Sequence, residues 1–408
     1  PEGSLREFKE GTISLQERGC QAEQGVQGPC QPDKTIPGPS QTSPKTTREG
    51  TRARAAIKAG VITSEDILEG PSCFGGVFAG YMYLNLSFGR MIAVRTPGTT
   101  IEKSDATYYG SEQQAPQYVA HTDDKNVLAS LRIIRTGWRM LNTNEIPSLE
   151  ADRELVRRWQ QRLPEILNST DEEIVTALRE IMQPAMELFT NHLVITGQAG
   201  GAVQLLSTIC EERLDDRSLA LTLLGNLGDV DSAAPSFALW ELGRKVAKDP
   251  KLTNLFDEGT KDLEDRLRSS YHASTFVEEL DKFLLEFGSR GPNEWETACE
   301  TWGTDPYSVL VLIDRMRLAD SDKAPSYRAE KLAKNREEAL YFARTQLKGF
   351  RLWLFNKAFH ASVTFSKARE RSKTTIIDLI HVARLFSREL AERTAQQRTN
   401  GELIDLWF

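Results

Sequence analysis

The chain has 408 residues, 58 Asp or Glu against 51 Lys or Arg, a net charge of −7 and 39% hydrophobic residues. At roughly 150 residues per domain this predicts two or three domains of ordinary globular composition, with material for a large core. The acidic balance argues against a nucleic-acid coat. No apolar run of 18 residues predicts a membrane span, no N-terminal segment reads as a secretory leader, and the expected location is cytoplasmic.

Five cysteines (Cys20, Cys30, Cys73, Cys210, Cys299) form no CxxC, so reduced thiols are predicted rather than a disulfide framework. The histidines His121, His192, His272, His360 and His381 fall in neither HExxH nor HxxxH, and no metal site is predicted. Asn85-Leu-Ser87 and Asn168-Ser-Thr170 fit the glycan acceptor pattern, which carries little weight without a secretion signal.

In chain order, residues 1–52 read as a loop-rich segment, with turn formers dense from Thr35 to Pro44. Residues 53–125 read as a mixed segment. It holds a short helix over 53–70, the aromatic strand candidate Gly75–Phe88 and a polar loop over 99–125. From 126 to 408 the pattern is helical and predicts one large helical domain. Leu128, Leu131, Ile134 and Trp138 recur at three- and four-residue steps, and Leu155, Trp159 and Leu163 follow until Pro164. Thr170-Asp-Glu-Glu173 has capping-box spacing, and Pro184 is expected to begin or kink the next helix. Further helices are predicted from Ala233 and over about 258–270, 273–286, 306–319, 326–360 and 363–397. The fold class is therefore mainly α: a large multi-helix domain with a small N-terminal loop and strand region.

Several chemistries are missing. There is no GxxxxGK[ST], GxGxxG or GxSxG, and no alternating strand–helix series. Charge is uneven: from Lys323 to Arg393 there are 16 Lys or Arg against 7 Asp or Glu, a local +9, which leaves −16 for the rest. This reads either as solvated helices or as a surface for an anionic group or acidic partner.

The most specific stretch is Phe287-Gly-Ser-Arg-Gly-Pro-Asn-Glu-Trp-Glu296. Gly288, Gly291 and Pro292 predict a rigid turn presenting Arg290, Asn293, Glu294 and Glu296. Arg290 could fork onto a phosphoryl group and a nearby carboxylate could take a hydroxyl proton. The alternative is a capping turn with an internal Arg–Glu pair.

The stretch from Phe283 through Asp305-Pro306 resembles the "GxRGPxExE…DP" segment of the phosphoenolpyruvate-utilising, dikinase-type phosphotransferases. It is most similar to the central helical domain of rifampicin phosphotransferase and the matching subunit of phenylphosphate (methylphenylphosphate) synthase. Pro37-Gly-Pro39 with Ser43-Pro44, Tyr81-Met-Tyr-Leu-Asn-Leu86, His192 with Thr196–Gly201, Gly228–Pro235 with Ala238–Leu242, Lys367–Lys373 and Gly401–Phe408 agree in order. The resemblance implies an acceptor-binding component. A partner ATP-grasp subunit or domain, using ATP and Mg²⁺, would charge a swivelling phosphohistidine domain, which transfers to a hydroxyl bound here. This chain alone would bind no cofactor. A small phenolic acceptor is expected first, and rifamycin-like hydroxyls next. His192 or Glu294 would be the base and Arg290 the phosphoryl cation. Tyr83, Asn85, Phe189, Asn293, Trp295, Glu296 and Lys367 are the other predicted site residues, with Arg371 a weaker cation. No nucleic acid or membrane partner is expected. The competing reading is a non-catalytic helical interaction protein on the same fold.

Overall fold

The computed structural model describes residues 51–63, 75–78, 81–84, 86–102, 104–105, 127–227 and 233–399. The predicted loop over 1–50, most of 99–125 and the residues after 399 lie outside them. The first helix, α1 (Thr51–Ala59), ends at Gly60, whose φ of +77° breaks the helix earlier than the predicted residue 70. The aromatic strand candidate is a two-stranded antiparallel hairpin, β1 (Gly75–Phe78) and β2 (Tyr81–Leu84), with Val77 opposite Met82. Then come α2 (Leu86–Arg95), α3 (Val127–Leu141) and α4 (Ser148–Leu167). Pro164 lies within the last turns of α4 rather than ending it.

The next helix, α5, runs unbroken over Asp171–Leu214. Its start carries the predicted capping box: Glu173 N–H donates to the Thr170 hydroxyl at 3.3 Å, and Thr170 N–H donates to the Glu173 carboxylate at 2.9 Å. Pro184 does not divide it. Losing one helical hydrogen bond there costs about 3 kcal/mol, but Ile181 and Leu188 on either side are buried in one cluster, and that packing keeps the helix continuous.

Beyond α6 (Leu219–Leu223), five shorter helices form a satellite bundle: α7 (Ala234–Lys248), α8 (Pro250–Asp257), α9 (Leu263–Ser269), α10 (Ser274–Phe287) and α11 (Tyr307–Leu318). Their core is Val246, Phe256, Leu267, Leu280, Leu310 and neighbours. Helix α7 crosses α11 closely at Gly243, where a Cβ would stand 2.7 Å from Met316 Cβ and 2.9 Å from Arg317 N. Gly243→Ala should therefore destabilise by about 1–3 kcal/mol through overpacking, although alanine is the better helix former. A urea midpoint equal to the parent's would refute this.

Two helices close the described chain, α12 (Pro325–Gln346) and α13 (Gly349–Thr399). The break lies at Leu347–Lys348 and not near residue 361 as the periodicity predicts. Leu347 is extended and buried, and Gly349 takes φ +56°. Thereafter α13 continues for 51 residues.

Helices α5 and α13 form the spine, and two apolar clusters lie along it. One joins α4 to the first half of α5 and the later half of α13, through Trp159, Ile174, Ile181, Leu188, Ile376 and Phe386. The other joins the second half of α5 to α6, α12 and the first half of α13, through Ile195, Leu206, Leu223, Phe355 and Phe365. Among the described residues α5 is long and apolar enough to cross a membrane, which the search for unbroken apolar runs missed. Eleven of its residues, from Ile174 to Cys210, are buried within the protein, as in the core helix of a bundle. The described residues belong to one compact unit that begins at Arg48.

Candidate functional site

The apolar pattern of both spine helices is interrupted. On α5 the first cluster ends at Leu188 and the second begins at Ile195, with His192 buried between them. On α13 the corresponding gap runs from Ala368 to Ile376 and holds Arg369, Glu370, Arg371, Ser372, Lys373, Thr374 and Thr375. Of these, Ser372 and Thr375 are buried, whereas Arg369 is exposed and the others are half-buried; buried polar groups in such a belt cost stability unless they find partners.

His192 Nδ1 lies 2.8 Å from the Ser372 hydroxyl, which itself donates to the Arg369 carbonyl at 3.0 Å. The hydroxyl has one proton: when it goes to the Arg369 carbonyl, Ser372 accepts from Nδ1–H and Nε2 keeps its lone pair. The nearest donor to that lone pair is the Thr196 hydroxyl at 3.4 Å. Burial first, then the Arg369 and Lys373 charges against an opposing effect of Glu370, lower the His192 pKa to about 4. His192 is therefore a neutral imidazole at physiological pH, in the field of two cations.

Phe189 and Trp295 flank the imidazole, with ring centroids 6.5 and 6.3 Å from it and 6.2 Å from one another. Trp295 comes from the 288–303 turn. There Trp302 N–H donates to the Arg290 carbonyl at 2.8 Å and Gly303 N–H to the Gly288 carbonyl at 2.9 Å. Fully buried Arg384 of α13 ties the turn down by donating to the carbonyls of Glu294 and Glu296, both at 2.9 Å.

The turn does not present Arg290 to an opening. Its guanidinium is buried and donates to both Glu294 oxygens at 3.3 Å and to the Thr374 hydroxyl at 3.1 Å. Glu294 also receives Lys373 Nζ at 2.7 Å, so neither residue stands free to meet a substrate. The internal Arg–Glu pair is the arrangement found, because a buried guanidinium needs its countercharge close by. Asn293 and Glu296 are exposed and bond within the turn, to Cys299 Sγ at 3.7 Å and to the Ala298 N–H at 3.2 Å. Lys367 points elsewhere: with Arg153 and Arg371 it lines a separate cleft of about 450 Å³ between α13 and the start of α4. Tyr83 sits on β2 opposite Gly76, and Asn85 lies outside the described residues.

Sequence reasoning missed Arg369, Glu370, Ser372 and Lys373 as site residues. Arg369 and Glu370 also border a cleft of about 600 Å³, walled by Leu224, Leu227, Phe237, Met316 and Leu332. One stripe of α13, through Ser366, Arg369, Glu370 and Lys373, thus runs from a largely apolar cleft to the histidine.

A second histidine, His381, accepts from Arg384 at 3.2 Å and is held by burial, then by Arg384 and Arg388, at a pKa of about 4. Both histidines have folded pKa values below the ordinary 6.5. The unfolded chain then binds protons that the folded one refuses, so stability falls as pH drops from 6.5 towards 4. The loss is on the order of 3 kcal/mol per histidine. Asp152, whose carboxyl burial raises, works the other way in the carboxylate range. Urea midpoints between pH 4 and 7 should show this slope, flattened by two protons in His192→Gln/His381→Gln; an unchanged slope in that variant would refute the assignment.

Residues 191–370 match the rifampicin phosphotransferase fourth domain. That span begins one residue before His192 and ends within the 369–373 stripe. Over 259 residues, 60% of this chain, the sequence is also 22% identical to the prodigiosin synthesizing transferase PigC of Serratia marcescens. The match covers 28% of that protein's length. These similarities support the dikinase-type phosphotransferase resemblance at the level of a transferase-family domain, and neither carries a phenylphosphate synthase specificity.

Proposed function

We propose that this chain is the acceptor-binding part of a phosphotransferase. The acceptor lies in the 600 Å³ cleft, a phenolic hydroxyl being the first choice because Leu224, Leu227, Phe237, Met316 and Leu332 offer an apolar wall beside the charged Lys323, Arg328, Arg369 and Glu370. Its hydroxyl reaches the polar belt, and a phosphoryl group carried by a histidine of a separate swivelling domain arrives over Arg369 and Lys373. The acceptor oxygen forms the new O–P bond, the N–P bond to the carrier histidine breaks, and the hydroxyl proton passes to His192 Nε2. Arg369 and Lys373, which pair with Glu370 at 2.6 Å and Glu294 at 2.7 Å, exchange those carboxylates for the transferring group, whose charge they offset. ATP and Mg²⁺ belong to the partner ATP-grasp module in this reading.

The observation that carries the proposal is the neutral His192, with Nδ1 on Ser372 and Nε2 near the Thr196 hydroxyl at 3.4 Å, in the field of Lys373 and of Arg369, the one of the two that lines the cleft. A pKa of about 4 makes a weak base in the empty site. An incoming phosphoryl group neutralises the cations that depress it, so basicity rises when the proton must leave. Phenyl phosphate combines the ring and the phosphoryl group, and should raise the melting temperature with its concentration. The mass-action gain is about 2.7 kcal/mol at a hundred times Kd. Inorganic phosphate should do much less. No response to phenyl phosphate, naphthyl phosphate or bulky aryl alcohols would sink the reading and favour a non-catalytic scaffold.

A further inference from the structure

Helix α3 turns much of its apolar stripe outward. Val127, Leu131, Ile134 and Trp138 lie at one-turn spacing and are 73, 55, 52 and 57% exposed. Trp138 meets Trp353 at 5.9 Å between centroids, and Trp353 stacks on Phe350 at 5.3 Å, which joins α3 to the start of α13 in a single exposed face. This face combines two stretches without a carboxylate. Residues 126–144 and 339–368 contain eight Arg or Lys and no Asp or Glu, in a chain of net charge −7. Arg135 and Arg139 border the α3 stripe; Arg344, Lys348 and Arg351 lie within nine residues of Phe350 and Trp353 in the chain, and all five are exposed.

We propose that this face docks on an anionic membrane surface. The charge selects an anionic partner, and the aliphatic half selects one with an apolar interior beneath its charge. Tryptophan and the long cationic side chains suit the headgroup layer, while Leu131 and Ile134 reach the acyl boundary. A second copy of the chain would set cations against cations across a symmetric interface. Nucleic acid would leave Val127, Leu131 and Ile134 without partners, and the aromatic rings are already stacked on one another rather than open to bases. The side chains protrude, and neither of the two clefts described is lined by Leu131, Ile134, Phe350 or Trp353. The contact is peripheral, requires no span and stands apart from the transfer reading.

The test is co-sedimentation of the full chain with vesicles of phosphatidylcholine alone and of phosphatidylcholine with about one third phosphatidylglycerol. The chain should pellet with the anionic vesicles only and be released by salt. Trp138→Ser/Trp353→Ser and, separately, Arg135→Glu/Arg351→Glu should each weaken binding about tenfold or more. All four positions are on the surface, and unchanged melting curves would show that the variants fold. Failure to pellet with anionic vesicles at low salt would overturn the proposal, as would binding that survives both pairs of substitutions. So would capture of a labelled oligonucleotide, or a dimer broken up by the tryptophan variant, in the absence of vesicle binding.

Discussion

If the proposed transfer occurs, His192→Gln is expected to slow it by about 10²–10⁴-fold, the usual contribution of a positioned proton acceptor. Glutamine can still donate to Ser372, so the α5–α13 contact at 2.8 Å is retained in kind while the Nε2 lone pair is lost. The fold should therefore survive, and removing a buried histidine should reduce the acid sensitivity of stability. Arg369→Ala and Lys373→Ala are expected to impair the same step, each by about 10²–10³-fold, without changing which acceptor is preferred. Single-turnover transfer from the phosphorylated carrier histidine is the measurement. Transfer by His192→Gln at the parent rate would remove the histidine from the mechanism. Equal rates in both cation variants would place the phosphoryl group elsewhere.

Glu294→Ala is expected to destabilise the protein by about 3–5 kcal/mol, because it leaves the buried Arg290 guanidinium without its countercharge and removes the partner of Lys373. The neighbouring Asn293→Ala and Glu296→Ala change exposed side chains with only local bonds, and should stay within about 0.5 kcal/mol of the parent. Urea unfolding of the three variants gives the comparison. The contrast also separates two roles for Glu294. A carboxylate that ties the turn together should show its loss in the unfolding midpoint. A carboxylate that takes the substrate proton should show it in the transfer rate, with the midpoint unchanged. The pairing with both Arg290 and Lys373 predicts the first outcome.

The mainly α architecture was legible because each helix must bury one stripe, and a stripe at 3.6-residue spacing is visible in a one-dimensional string. Thr170 and Glu173 were legible as a helix start because a capping box is a local contact within four residues. Phe189, His192 and Trp295 were three of the ten residues expected at the site, and the structure brings these three together. The continuity of α5 through Pro184 was not legible. A lost hydrogen bond is a local cost, whereas the packing of Ile181 and Leu188 that outweighs it is made with distant chain.

The α13 cations show the division most clearly. Lys367 and Arg371 are four residues apart, and so are Arg369 and Lys373. In a bare sequence the two pairs are equivalent, since each forms one stripe of the same helix. A two-residue offset turns a side chain by about 200°, so the pairs face opposite sides. One lines a cleft against α4, and the other lies beside His192 and the apolar cleft. The order of residues determined that a helix with two cationic stripes would form. Only the packing of α13 against α5 decided which stripe lies near a buried histidine, because contacts between residues 180 apart are set by tertiary burial and not by spacing.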